Sequence, residues 1–285
     1  MRSTIRDSTI RVPAASVRPF WRFATDVEHR YRVTDGTSHT RALAYQTVFI
    51  MISGFIGLVG LASVLGLAEI RRTVQHLATS VAPGPSGRLI QEAAQQGASG
   101  GAMVAVAGLG AAWISGMFAM AQVQRSADRL AGRGYEQERS GTAKYVRAAL
   151  LAVPVGLLLG VGGVALGGGS SVAEGFGLQG TADLVWNVLR WPIGVSLAGA
   201  ALLLMMRAAP TAPLGSARHR AAGAGVALTL WTIFTVLLSL YFAMSTTTTR
   251  TYGPLLAVVA LVLWSGLTSL ALHLGIATTA ELERS

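Results

Sequence analysis

The chain has 285 residues, of which 52% are apolar and only 13% charged, and its formal net charge is +10. A soluble domain carries roughly 25% charged residues, so this composition excludes an ordinary soluble globular protein, and the apolar content excludes intrinsic disorder. The chain has no cysteine, which excludes disulfides, thiolate metal sites, iron–sulfur clusters and a cysteine nucleophile.

In chain order, residues 1–41 come first and hold eight arginines, with Phe20, Trp21 and Phe23 beside Arg18 and Arg22. That mixture fits a basic segment in one of two states. It is either a helix lying on an anionic membrane surface, aromatics at the headgroup level, or an unstructured basic tail. Six stretches then satisfy the ~20 mostly apolar residues needed to cross ~30 Å of hydrocarbon. They are 42–68, 99–120, 148–168, 184–206, 222–244 and 255–276. At that depth the backbone must satisfy itself in a helix or a closed barrel, and the ~10-residue alternating segments of a barrel are absent. The reading is therefore an all-α polytopic membrane protein with six transmembrane helices. At 27 residues the first span is too long for the core of a cleaved signal, so no signal peptide is expected.

Between the spans, 69–98 carries Pro83, Gly84, Pro85 and Gly87 and reads as a turn between two short amphipathic pieces. Residues 122–133 read as a polar continuation of the second helix, and 277–285 as a short tail. With the N-terminus inside, eight, six, three and one basic residues fall in the cytoplasmic pieces 1–41, 121–147, 207–221 and 277–285. Only five of the 23 fall outside. The positive-inside rule accounts for this asymmetry, puts both termini in the cytoplasm and removes any need for nucleic-acid binding.

Several segments carry a resemblance. Leu43-Ala44-Tyr45, then Trp113 and Ser115, Ala127-Asp128-Arg129, and Leu204, Arg207 and Pro210 occur in order. They are followed by Leu230-Trp231, Ser239-Leu240-Tyr241, Tyr252-Gly253, Leu263-Trp264, Leu274-Gly275 and Ala280-Glu281-Leu282-Glu283-Arg284. Together they resemble the YihY/BrkB family of bacterial inner-membrane proteins, once mislabelled as ribonuclease BN. The resemblance implies six spans with cytoplasmic ends and an envelope protein proposed to move lipids or other amphiphiles. It draws Tyr45 and Tyr252 into the candidate set. The family's usual second tyrosine is Gln46 here, its proline is Ser53, and the glutamate and asparagine usual after Gly275 are Ala277 and Thr279. A role resting on that carboxylate does not carry over.

The remaining constellations point to packing or to a substrate path. Gly175-Phe176-Gly177-Leu178-Gln179-Gly180 fits a dinucleotide fingerprint but lies in a loop between membrane helices, where the motif has no strand to follow. Gly156 with Gly160, and Gly163 with Gly167, leave a flat strip on the third span for helix packing or for homodimer contact. The 13 acids are scattered and His29, His39, His76, His219 and His273 show no ligand spacing, so neither a metal nor a hydrolytic centre is expected. His273, near the inner end of the sixth span, is either a packing histidine or a titrating one. Arg190 stands inside the fourth span, seven residues after Asp183 and on the same helix face. It is either a snorkelling anchor beside Trp191 or a cation facing an outward cleft near Tyr252 and Thr251.

The expectation is an inner-membrane, multi-pass transporter or exporter of an amphiphile such as an anionic lipid. It is not an enzyme, needs no cofactor, and has membrane lipids as partners. The alternative is a non-transporting scaffold of an envelope assembly. The topology is testable directly. Reporters placed after Ser285 or within 134–142 should read cytoplasmic, and those at Gly177 or Thr247 external; a cytoplasmic signal at Gly177 would overturn the helix count.

Overall fold

The computed structural model describes residues 20–67, 88, 91–93, 95, 96, 99–133, 141–167, 180–244 and 246–284, and among these there is no strand. The helices are α1 (Phe20–Val33), α2 (Gly36–Val64), α3 (Gly101–Leu130), α4 (Thr142–Gly167), α5 (Thr181–Ala208), α6 (Ala217–Met244) and α7 (Thr246–Arg284). The last six are each long and apolar enough to cross a membrane. They match the six expected spans, with Pro154 and Pro192 inside continuous helices. The glycine-rich 175–179 and most of 69–98 lie outside the described residues.

Helix ends follow hydrogen bonding rather than hydrophobicity, so the helices overrun the apolar stretches. α2 starts at Gly36, and α3 continues to Leu130. The largest difference is at the end of the chain. Residues 277–284 are not a tail but the last turns of α7, with Ala277, Ala280 and Glu281 buried. The N-terminal segment also contains structure. α1 docks on α2 and α7 through buried Val27 and Tyr31, leaving Trp21 77% exposed. A left-handed residue, Asp35 (φ 57°), turns α1 into α2, and Gly36 follows because any Cβ there would run into the Tyr31 ring.

Each spanning helix packs on its neighbour in sequence, and α7 closes the ring against α2. α7 also meets α1 and α3. Half of its most apolar stretch is buried, against 17–22% in the other five spans, so α7 is the most buried span. The main core sits at the end of the bundle where α1 and the end of α7 lie, called here the terminal face. It joins Leu43, Met120, Val123, Leu130, Met206, Leu214 and Ile276. A smaller cluster of Leu238, Phe242, Leu261 and Trp264 holds α6 to α7 toward the far face.

Membrane helices associate by close backbone approach, since lipid is as apolar as their side chains. A Cβ on Gly57 would lie 2.5 Å from the amide nitrogen of Leu109, and one on Gly108 would lie 2.6 Å from that of Gly57, so these glycines set the α2/α3 crossing. Gly275 serves α6/α7, where a Cβ would stand 2.5 Å from the carbonyl oxygen of Gly223. The third-span strip does not serve this purpose within the chain. A Cβ on Gly156, Gly160 or Gly163 meets open space, and the surroundings of Gly167 lie outside the described residues. The face of α4 turned inward is set by buried Val155, Gly162 and Ala165, and a Cβ on Gly162 would lie 3.3 Å from the Gly194 carbonyl oxygen of α5. Gly57→Leu or Gly275→Leu should therefore cost about 1–3 kcal/mol or more, read as a lower unfolding midpoint in detergent. Gly160→Leu should leave the midpoint unchanged.

Candidate functional site

The terminal face is built from arginines that meet helix ends. The last carbonyls of a helix have no partner within it, and α3 and α5 both end here. Arg30 of α1 donates through Nη1 to the Leu130 carbonyl at 2.8 Å, and through Nε and Nη2 to Oε2 of Glu281 at 2.9 and 2.6 Å. One guanidinium thereby ties α1 to α3 and α7. Arg147 of α4 donates through Nε and Nη2 to the Ala208 carbonyl at the end of α5, at 2.9 and 2.5 Å. Asp128, almost fully buried, accepts from Arg133 Nη1, the Thr211 amide and the Thr211 hydroxyl at 2.8–2.9 Å. Arg133 also reaches the Ala212 carbonyl, and Arg220 reaches those of Leu214 and Gly215. The turn between α5 and α6 is thus folded inward, with Pro210 and Leu214 fully buried.

One layer deeper, the Gln122 amide nitrogen meets Nδ1 of His39. Arg129 Nη1 lies 3.2 Å from the other ring nitrogen of His39, and Arg125 donates to Gln122 Oε1 at 2.6 Å. This lattice was not singled out from the sequence. Its signal was present in the Asp128-Arg129 and Glu281 positions of the quoted motifs, but spacing alone does not show which arginine meets which carbonyl.

The candidate residues fall into two places and are not one site. Arg190 lies on α5, nine residues from its far end, hence roughly 14 Å along the axis. Its guanidinium stands 5.4 Å from the centre of the Trp191 ring, a cation–π contact, and its Nε is buried without a hydrogen-bond partner. Asp183 shares that helix face but accepts from the Asn187 side chain at 3.1 Å, and no described carboxylate forms an ion pair with Arg190. α5 packs on α4 and α6, and the side chains of Thr251 and Tyr252 lie outside the described residues. Tyr45 is exposed on α2 in line with Arg41 and Phe49.

His273 is fully buried on α7, between Leu272 and Ile276 of the terminal core. Its Nδ1 is 2.7 Å from the Ser269 carbonyl, and its Nε2 has no partner. Ala277 and Thr279 explain the departures from the family pattern. Ala277 belongs to the terminal core, and Thr279 donates to the Gly275 carbonyl at 3.0 Å beside the α6/α7 crossing. Two of the three tryptophans of the quoted motifs bond across helices. Trp113 donates to the Ala149 carbonyl and Trp264 to the Thr235 hydroxyl, both at 3.2 Å. Among the described residues no group of three or more histidines and acids could hold a metal ion.

Six apolar helices in a ring, with a network of arginine contacts at one face, define a polytopic helical membrane protein. Residues 28–285 match the family described as Virulence factor BrkB, and the chain belongs to it. No curated protein and no solved structure matches the chain.

The Asp128 junction gives a stability test. Removing one partner of a buried ion pair costs about 3–5 kcal/mol, so Asp128→Ala should strongly lower the unfolding midpoint. Asp128→Asn, which can still accept from Thr211, should cost less. Equal midpoints for wild type and Asp128→Ala would show that the junction carries no stability.

Proposed function

We propose that this protein moves an amphiphile with an anionic head, such as an anionic lipid, across the bacterial inner membrane, and that Arg190 is the contact for the head. One observation carries this reading. An arginine within an apolar span costs ~2.5–3.5 kcal/mol at a helix centre on the insertion scale unless it snorkels or is paired. Yet Arg190 has no ion-pair partner among the described residues and keeps a buried, unbonded Nε. Asp183, on the same helix, accepts from Asn187 and forms no ion pair with Arg190. The Trp191 ring supports the guanidinium without consuming its hydrogens. A phosphate or carboxylate can take such a fork bidentately.

The positive-inside asymmetry assigns the terminal face to the cytoplasm, so Arg190 approaches from the outer half. On this reading the Arg30, Arg133 and Arg147 contacts hold the helix ends together on the cytoplasmic side, opposite the end that Arg190 faces. The reading needs no catalytic group, and it leaves energy coupling to a gradient of the amphiphile itself.

The test is transbilayer movement of a fluorescent phosphatidylglycerol in vesicles containing the full-length protein. Wild type should exceed empty vesicles. Loss of a hydrogen bond to a charged group costs about 1.5–3 kcal/mol, so Arg190→Ala should slow movement by about 10- to 100-fold at normal membrane abundance. Arg190→Lys, a cation without the fork, should fall between. Wild-type flux in Arg190→Ala would reduce the arginine to an interfacial anchor, and no flux from wild type would favour the scaffold alternative.

A further inference from the structure

Most of the bonded hydroxyls of the membrane spans are bonded within their own helix. Thr47, Ser53, Ser63, Thr232, Ser239, Thr278 and Thr279 each donate to the carbonyl four residues earlier in their own helix. This is the ordinary way for a short polar side chain to survive in hydrocarbon. Ser265, Thr268 and Ser269 do not follow it. Their hydroxyl oxygens are buried with no hydrogen-bond partner, and so is Nε2 of His273. The four residues stand at i, i+3, i+4 and i+8 and therefore share one face of α7, the most buried span.

A buried polar group without a partner costs about 1–3 kcal/mol, and four together on one face are a large cost that local rotation of the hydroxyls could relieve. We propose that this face is a binding site for a hydroxyl-bearing head group, or for water when no head group is bound, closed in the conformation described here. The chemistry of the face selects the class. The Ser269 carbonyl can only accept, so the Nδ1 facing it carries the hydrogen, and Nε2 of the neutral ring is a bare acceptor. Three hydroxyls beside it both donate and accept. A hydroxyl supplies the hydrogen that Nε2 lacks, whereas a bare anion oxygen would face its lone pair. The site is distinct from Arg190, which lies on α5 and presents donors only.

Because the chain has no cysteine, Ser265→Cys and Ser269→Cys can be made singly in the full-length protein and reconstituted in vesicles. Ala260→Cys is the control, since Ala260 lies on the same helix and is as fully buried as Ser265. Labelling by a water-soluble methanethiosulfonate needs thiolate, and each unit by which a dry site raises the thiol's pKa removes about ten-fold of it. Both serine-site cysteines should label at least about ten-fold faster than Ala260→Cys. Labelling of Ser269→Cys should slow several-fold in phosphatidylglycerol vesicles, whose head carries hydroxyls, relative to phosphatidylmethanol vesicles of the same charge with neither a hydroxyl nor an ammonium to donate. Labelling as slow as Ala260→Cys would overturn the site, and equal rates in the two vesicles would overturn the hydroxyl assignment. Neither measurement reads flux, so the Arg190 reading can fail while this one stands, and the reverse.

Discussion

A polar atom in hydrocarbon must find a partner, and the architecture of this protein follows from where it finds one. Backbone groups are satisfied within six helices, which is why the chain has no described strand. The carbonyls left over at the ends of α3 and α5 are met by Arg30 and Arg147 from neighbouring helices. The basic residues of the terminal face thus have two roles. They carry the positive charge by which the positive-inside rule would orient the chain, and they donate to carbonyls at helix ends that have no partner within the helix.

The same constraint explains why α7 differs from the other spans. Its lipid-facing strip is narrow and apolar, with Val258, Val259, Val262 and Leu263 exposed, so its polar groups fall on the buried side. Its terminal half is committed to structure: Thr279 bonds its own helix beside the Gly223–Gly275 crossing, and Glu281 anchors Arg30. Its middle, from Ser265 to His273, is buried as deeply but lacks those bonds. The helix is thus divided into an end whose polar groups are bonded and a stretch where Ser265, Thr268, Ser269 and His273 Nε2 lack partners.

How much of this was legible in the sequence depends on whether the signal was local. Hydropathy located all six spans, because each is a local property of ~20 residues. It could not show that 277–284 continues α7, since Glu281, Glu283 and Arg284 read as a polar tail until Arg30 is known to meet Glu281. The glycine pairs of the third span illustrate the same limit. Spacing identified a flat strip at Gly156 and Gly160, but the face of α4 turned to α5 is chosen by Val155, Gly162 and Ala165, whose partner lies on another helix. Arg190 was visible because a charge in an apolar run stands out. The Ser265–His273 face was not, because serines in membrane helices commonly bond their own backbone, and only the structure separates those that do from those that do not.

The central claim is that Arg190 and the α7 face are held unsatisfied for an occupant. The most direct measurement is a high-resolution density map of the protein in lipid nanodiscs. The account predicts non-protein density within hydrogen-bonding distance of Arg190 Nε and of the Ser265, Ser269 and His273 polar atoms. It is contradicted if the hydroxyls of Ser265, Thr268 and Ser269 are seen turned onto the carbonyls of Leu261, Trp264 and Ser265, with no other density beside them.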